Sequence, residues 1–347
     1  MKDKNILFVG SYDSPLTKER YELIKDNIDY KNILLFNTSF NIYKKDQVIN
    51  TKFILNKYLT NSLQFLHLLF IIYKYKINIV HFHGGFHAFI NYVPFFILKK
   101  IKVIVTVQGS EINQHYKGYK KYFVKYLLNK ADFITVKSSF MKKRVKEIVD
   151  RQENVVDLNW GVSDSLFEYN QMNKNSLTIN IISFRATDII YNIDKIFEAI
   201  KKLKERYSTI CFSYVEFNKN DKINLDLSIV DKQYKKLSKK ELFDILNQQD
   251  IMVSIPSYDG FATSLMESLA LGVYPIISDI ESYNDDELKK YVEVIDLYNE
   301  RDFIEKLEYC ISSIDKIRED MEKRISFAKK NYSRKNQIKN LREIYKS

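Results

Sequence analysis

The chain has 347 residues, 45% of them apolar, and a formal net charge of +11. That length rules out a single ordinary core and suffices for two, so two α/β domains are expected. The positive balance favours an acidic partner, but the lysines come with abundant Asn, Ile and Tyr, so charge alone does not argue for nucleic acid. Cys211 and Cys310 lie in apolar stretches without metal-ligand spacing and read as buried thiols in a reducing compartment. No unbroken apolar run reaches the ~18 residues of a spanning helix, and Met1 to Asn5 leads into a strand without the pattern of a signal peptide. A cytoplasmic location is expected.

Apolar runs at 6–9, 33–36, 79–82, 103–107 and 133–136 read as buried strands, with intervals long enough for crossover helices. The pattern repeats at 179–183, 210–214, 251–255 and 274–278. Each half is therefore a parallel, doubly wound sheet. The polar stretch 170–175 reads as a linker, giving domains over 1–168 and 169–324, with a helical segment over 325–347 expected to pack back on the first domain. Glycine and proline are scarce. Gly10, Gly84, Gly85, Gly109, Gly260 and Pro15 all follow predicted strands, where ligands of such sheets bind.

In the first half, the loop Gly10-Ser11-Tyr12-Asp13-Ser14-Pro15 carries one glycine, and no G-x-G-x-x-G fingerprint occurs anywhere, which disfavours a dehydrogenase. His81-Phe82-His83-Gly84-Gly85-Phe86-His87 runs off the third predicted strand. It lacks the clustered carboxylates or cysteines of a zinc site, so no metal is expected. Thr106-Val107-Gln108-Gly109-Ser110-Glu111 follows the next. Residues 115–126 interleave aromatics with lysines, as a helix at an anionic membrane surface would, or as a crossover helix with one core face.

In the second half, Ser183-Phe184-Arg185 ends a strand, and Tyr191-Asn192-Ile193-Asp194 opens an amphipathic helix. The densest pattern is Pro256-Ser257-Tyr258-Asp259-Gly260-Phe261, followed by Glu267 to Gly272 and Pro275 to Asp279. It sets Asp259 and Glu267 with seven residues between them across a helix start near Gly260, where unpaired backbone N–H groups attract an anion. Two bland readings compete. Asp259 forms turns before glycine, and Ser264 with Glu267 fits a capping box.

Taken whole, residues 256–279 resemble the donor-site signature of family 4 glycosyltransferases of the GT-B fold: proline-serine, an acid before Gly-Phe, Glu after seven residues, and a helix ending in Ala-x-Gly-x-Pro. The order of elements in both halves resembles that family too. The resemblance implies two Rossmann-like domains facing a cleft, with the second binding a nucleoside-diphosphate sugar. By position, Glu267 would accept the ribose hydroxyls, Asp259 would bond the transferred sugar, and the backbone of Gly260, Phe261, Ala262, Thr263 and Ser264 would meet sugar and diphosphate. Arg185 would neutralise the departing diphosphate in place of a metal ion, so no cofactor is implied. Gly10 would border the diphosphate. His83, Gly84, Gln108 and Gly109 would shape the acceptor side.

Three departures stand out. Asp259 replaces the usual Glu, Tyr191 and Asn192 stand where lysine and glycine are usual, with Lys195 the remaining lysine nearby, and Gln108 replaces a histidine. The Arg-plus-Tyr-Asn-Ile form resembles a subgroup of polysaccharide and O-antigen clusters. The expected activity is a retaining, metal-independent transfer to a saccharide or lipid-linked saccharide in surface polysaccharide or lipopolysaccharide assembly. The enzyme would be peripheral at the inner face of the plasma membrane, without nucleic acid as a partner. The alternative is a catalytically inactive nucleotide-sugar-binding subunit. The base would be read near 236–240 and 215–217.

Overall fold

The computed structural model describes residues 4–39, 42–50, 57–84, 100–109, 112, 116–169, 176–216 and 223–346. Gly85 to His87, Ser110, Glu111, His115 and Phe217 therefore lie outside the described residues. The chain divides into two compact units, Met1–Trp160 with Ile338–Ser347, and Gly161–Gln337.

In the first unit, β1 (Asn5–Gly10), β2 (Asn32–Asn37), β3 (Val48–Asn50), β4 (Ile79–His83), β5 (Lys102–Thr106), β6 (Phe133–Val136) and β7 (Val155–Asp157) form one sheet ordered β3-β2-β1-β4-β5-β6-β7. Every pair is parallel. Successive side chains point to opposite faces. Accordingly Leu7, Val9, Val80 and Phe82 pack against one helical layer with Leu68, Val124, Leu127 and Met141, while Ile6, Phe8, Ile79 and Ile104 pack on the other face with Tyr21, Ile24, Leu341 and Tyr345. Among the described residues its helices include α1 (Pro15–Asn27), α2 (Lys57–Lys74), α3 (Lys120–Lys130) and α4 (Ser139–Ile148). The Ser14 side chain caps α1 and Pro15 sits in its first turn, where a missing N–H costs nothing.

In the second unit, β8 (Ile179–Ser183), β9 (Ile210–Glu216), β10 (Lys232–Lys235), β11 (Ile251–Ser254), β12 (Tyr274–Ser278) and β13 (Glu293–Ile295) run in the order β10-β9-β8-β11-β12-β13, again all parallel. Ile181, Phe212, Val253 and Ile276 pack against α5 (Ile193–Lys204) on one face. On the other, Ile182, Val215, Met252 and Ile277 meet residues of α6 (Lys239–Leu246) and α7 (Thr263–Ala270). The chain closes with α8 (Glu300–Ser312), α9 (Ile314–Glu319), α10 (Met321–Tyr332) and α11 (Arg334–Lys346).

The division falls earlier than the linker at 170–175, because the chain is already tied into the second unit at Val162. Val162 N–H donates to the Tyr332 carbonyl at 2.8 Å, and Arg334 N–H donates to Val162 at 3.0 Å. Gly161 permits this approach: its φ is +63°, and a Cβ there would stand 2.8 Å from the Tyr332 oxygen. In the same way Ile325 and Ala328 stay in the second unit, and only Ile338–Ser347 joins the first. The two thiols also differ. Cys310 is fully buried and Cys211 only half-buried.

Candidate functional site

Each sheet reverses its strand order once, at β8/β11 and at β1/β4. Loops leaving the carboxyl ends of such neighbours diverge and open a crevice where ligands bind. Phe184 and Arg185 leave β8, and Ile255 to Asp259 leave β11. The elements flanking the reversal therefore deliver Arg185 and Asp259 to one place.

There Arg185 donates from Nη2 to Asp259 Oδ2 and from Nη1 to the Ser264 hydroxyl at 3.2 Å. Its guanidinium carbon lies 4.5 Å from the ring centroid of Tyr191. Burial works against the arginine's charge, but Asp259 outweighs it with help from Tyr283 and Tyr191, holding its pKa above the ordinary value. The side chain is a fixed cation, and its buried Nε–H has no hydrogen-bond partner among the described residues.

Asp259 forms the turn expected of an aspartate before glycine and also holds Arg185. Oδ2 takes Arg185, while Oδ1 accepts the Phe261 N–H at 3.1 Å, an Asx turn that only a short carboxylate closes on its own backbone. The turn leaves Phe261 at φ +126°. A non-glycine residue there carries strain on the order of 1–3 kcal/mol. Tyr283, 5.8 Å away and edge-on, and Tyr332, at 5.6 Å, hold its ring in place.

The helix expected from Gly260 begins at Thr263. The capping box between Ser264 and Glu267 does not form, because Ser264 already lies inside the first turn and the cap is Ala262, which has no oxygen to offer. The start of α7 thus presents its N–H groups without a side-chain cap, beside the Arg185 cation. Glu267 lies one turn on from Ser264 on the same helical face. It is 6% exposed and pairs with Lys239 of α6 at 3.3 Å.

The sequence did not single out Tyr283, and it gave no side-chain role to Ser257 of the motif or to Lys239 of the 236–240 stretch. Asn192 explains one departure: it adopts φ +49°, the left-handed conformation that Asn tolerates among non-glycine residues. Its amide donates to the Ile255 carbonyl at 2.8 Å and to Ser257 Oγ at 3.0 Å, stitching the two site loops together. Lys195 is turned elsewhere, donating to the Leu297 carbonyl at 2.9 Å.

In the first unit, Gly10 ends β1, His83 ends β4, Gly84 follows, and Gln108 and Gly109 follow β5. Gly84 and Gly109 have φ of +73° and +123°, conformations that exclude most side chains at these strand ends. His81 and His83 share one face of β4. His81 bonds Tyr345 Oη at 2.6 Å and Thr106 Oγ1 at 2.7 Å, and it stacks on Trp160. His83 Nε2 meets Arg20 Nη1 and Gln108 Nε2, each at 2.7 Å. Arg20 and Trp160 are further residues the sequence reading passed over. Among the described residues, no three His, Cys, Asp or Glu side chains converge as metal ligands.

Burial pushes His81 down to about 3, and burial with the neighbouring Arg20 pushes His83 well below the ordinary imidazole value. Both rings are therefore neutral in the folded unit, whereas the unfolded chain protonates them near pH 6.5. Acid favours the unfolded state. Stability is full above pH 6.5 and falls as pH drops, by about 1.4 kcal/mol per pH unit for each ring. Urea unfolding of the first unit at pH 7.5 and 5.5 should show this loss, and His81→Gln should lessen it. Equal stability at both pH values would mean that the rings are not held neutral.

Comparisons with known proteins bear on the family and the fold. The family model described as Glycosyltransferase Family 4 matches residues 38–159, and the one described as Glycosyl transferases group 1 matches residues 170–330. No curated protein sequence matches the chain. Among solved structures, sucrose-phosphate synthase from Thermosynechococcus elongatus is 9% identical with a TM-score of 0.78, covering 99% of this chain and 98% of that one. A glycosyltransferase from Rickettsia africae is 16% identical with a TM-score of 0.77, at 100% and 98% coverage. Anabaena HepE, solved with UDP and glucose, is 10% identical with a TM-score of 0.73, at 99% of both chains. With one glycosyltransferase family model on each doubly wound unit and these neighbours sharing the GT-B fold, the chain belongs to the glycosyltransferases of the family 4 type.

Proposed function

We propose that the chain transfers a sugar from a nucleoside-diphosphate sugar to a saccharide or lipid-linked saccharide, with retention and without a metal ion. The observation that carries this is the Arg185 cation beside the uncapped start of α7. Together they form an anion site of the kind a diphosphate fills. HepE, a neighbour of the same fold, was solved with UDP and glucose, which supports a nucleotide donor here.

In this reading the diphosphate takes the N–H groups of Thr263 and Ser264 and the guanidinium of Arg185. Asp259 holds that guanidinium and meets the transferred sugar, and Tyr191 stacks on it from the other side. Glu267, fixed by Lys239, accepts the ribose hydroxyls. As the bond from the sugar's anomeric carbon to the diphosphate breaks, its electron pair goes to the phosphate oxygen, where Arg185 and the helix start stabilise it. The acceptor hydroxyl forms the new bond and gives its proton to that same oxygen. The candidate acceptor-side groups include no base poised near neutrality, since His83 is held neutral far below its usual range and Gln108 does not titrate. Retention by this route fits that set of residues.

An anionic bilayer at the inner face of the plasma membrane is the proposed place of work, with surface polysaccharide or lipopolysaccharide assembly as its context. On α3 and just before it, Tyr119, Tyr122, Phe123 and Tyr126 are exposed among Lys120, Lys121 and Lys125. No helix among the described residues is long and apolar enough to cross a membrane. Aromatic rings beside lysines suit the headgroup layer.

A panel of UDP, GDP and dTDP sugars tests the donor assignment by melting temperature. A ligand at 100 times its Kd should stabilise the chain by about 2.7 kcal/mol. Glu267→Gln should reduce the shift, because an amide accepts ribose hydroxyls less well than a carboxylate. If no sugar nucleotide shifts melting, the donor site is wrong. A shift without transfer to any lipid-linked acceptor would favour an inactive nucleotide-sugar-binding subunit.

A further inference from the structure

Lys195 is committed to the Leu297 carbonyl at 2.9 Å, and that bond holds the turn from β13 to α8 against α5. Within the turn Asp296 Oδ1 accepts the Tyr298 N–H at 2.9 Å, and Asn299 Oδ1 caps α8 by accepting the Asp302 N–H at 3.2 Å. A cavity of about 270 Å³ lies between this turn and α5, wholly within the second unit. Its floor is apolar. Ile255, Ile295, Leu297 and Phe303 line it, all buried in the core that joins the sheet to α5.

The walls are acidic. Glu198, Asp296 and Glu300 line the cavity against one cation, Lys195, and Glu300 is paired with Lys202. Such walls repel a phosphate, so in a chain of net charge +11 this cavity suits a ligand without negative charge. Its rim offers mainly acceptors. Glu198 makes no hydrogen bond or ion pair with a described residue, and Asp296 Oδ2 is open in the same sense. The Asn299 amide adds N–H donors, and Tyr298 stands 93% exposed beside them.

A sugar ring matches this set. Its hydroxyls donate to carboxylates and accept from an amide, and its C–H faces pack on apolar or aromatic surface. A volume just under the ~300 Å³ at which drug-sized pockets begin suits one ring. Among the described residues no three groups converge as ligands for a metal ion. The cavity also stands at the carboxyl ends of β11 and β13, the edge of the sheet where ligands bind. It lies on the α5 face, whereas Phe261, Ala262 and Leu265 beside Arg185 pack on the other.

We propose that this cavity is a second carbohydrate site, taking one neutral saccharide ring against Tyr298 with Glu198 and Asp296 as hydroxyl acceptors. It goes beyond the nucleotide-sugar reading and uses none of the Arg185, Asp259 or Glu267 groups. A free sugar and one unit of a glycan chain present the same chemistry, and probe length separates them.

The probes are methyl glycosides of neutral hexoses and of a uronic acid, the matching neutral di- and trisaccharides, and ethanolamine as a plain ammonium, titrated into the full chain by saturation-transfer NMR. A neutral glycoside should bind, and the uronide about tenfold more weakly. Tyr298→Ala should raise the Kd of the best glycoside about tenfold. Asp296→Asn, which keeps an oxygen for the Tyr298 N–H, should raise it about fivefold. Tyr298→Trp keeps an aromatic face and should keep the affinity. Its new indole, exposed where Trp160 is buried, should shift its emission to shorter wavelength as the sugar covers it. The UDP melting shift should be equal in all of these proteins. Affinity that grows with probe length assigns the site to a glycan chain, and equal affinity assigns it to a free sugar.

Glycoside binding that Tyr298→Ala leaves intact overturns the proposal, because the carbohydrate then sits elsewhere. No glycoside binding at all, a uronide as tight as the neutral sugar, ethanolamine binding in place of every glycoside, or a Tyr298→Trp emission that no probe moves would each do the same. A UDP shift lost in Tyr298→Ala would merge the cavity with the donor site and reject it as a separate one. If the glycosides bind as described but no sugar nucleotide does, the donor reading fails and this one stands.

Discussion

Arg185→Ala should lower the rate of sugar transfer by about 10²- to 10³-fold, the usual loss when one fixed group facing developing charge is removed. The reason is visible in its three partners. Asp259 and Ser264 each take one arm of the guanidinium, and the Tyr191 ring lies against its plane. The cation is thus oriented before any diphosphate arrives and needs no rearrangement as the leaving group gains charge. Arg185→Lys should recover only part of the activity, since a single ammonium cannot serve both oxygens and stack on Tyr191 together. The rate constant is measured with whichever sugar nucleotide stabilises the chain, and melting confirms that the variants fold. An alanine variant that turns over within threefold of the parent would remove Arg185 from the proposed chemistry.

The central strands were legible because a strand buried on both faces of a parallel sheet must be apolar throughout. The expected limits of β8 and β12 match the observed ones, and those of β1, β2, β4 and β5 agree to within a residue at either end. The strands that were missed, β3, β7, β10 and β13, all sit at the outer positions of their sheets. Three of them have three residues, and the fourth reads Lys-Gln-Tyr-Lys. An edge strand needs only one neighbour and keeps water on one side, so it leaves no apolar run to detect.

The site was legible in its chemistry and less so in its local geometry. Asp259 and Arg185 could be named from a motif, but their pairing follows from the strand reversal that sets β8 beside β11, and strand order is not written in any single segment. Ser264 and Glu267 show the opposite failure. A four-residue pattern fits a capping box, yet the helix is capped two residues upstream of Ser264, at Ala262, just after the Asp259 turn. Arg20 carried no signal, and the 236–240 stretch was named for its backbone and not for the Lys239 side chain, because what distinguishes the two is burial or a partner distant in the chain.

The largest stability effect should come from the amino end of the second sheet, away from the Arg185 loops. Asp250 stands just before β11 with its side chain fully buried, and Arg318 of α9 grips it with two bonds, Nε to Oδ1 at 2.9 Å and Nη2 to Oδ2 at 3.0 Å. Oδ2 also accepts the Asn180 N–H at 2.9 Å, and Arg318 donates on to the carbonyls of Ser176 and Thr178. One ion pair therefore ties the start of β8, the start of β11 and a C-terminal helix. Asp250→Ala leaves the Arg318 charge without its carboxylate and an amide without its acceptor, a loss of about 3–5 kcal/mol. Arg318→Met should cost less in a background that already lacks Asp250 than in the parent chain, a difference that a double-mutant cycle measures as coupling. The chain's single tryptophan makes the result readable by unit: Trp160 packs on His81 and His83 in the first unit, so its fluorescence follows that unit, while far-ultraviolet circular dichroism follows both. In urea, Asp250→Ala should move a dichroism transition to lower concentration and leave the tryptophan transition in place. A shift below about 1 kcal/mol, the range of an exposed pair, would show that burial adds nothing here.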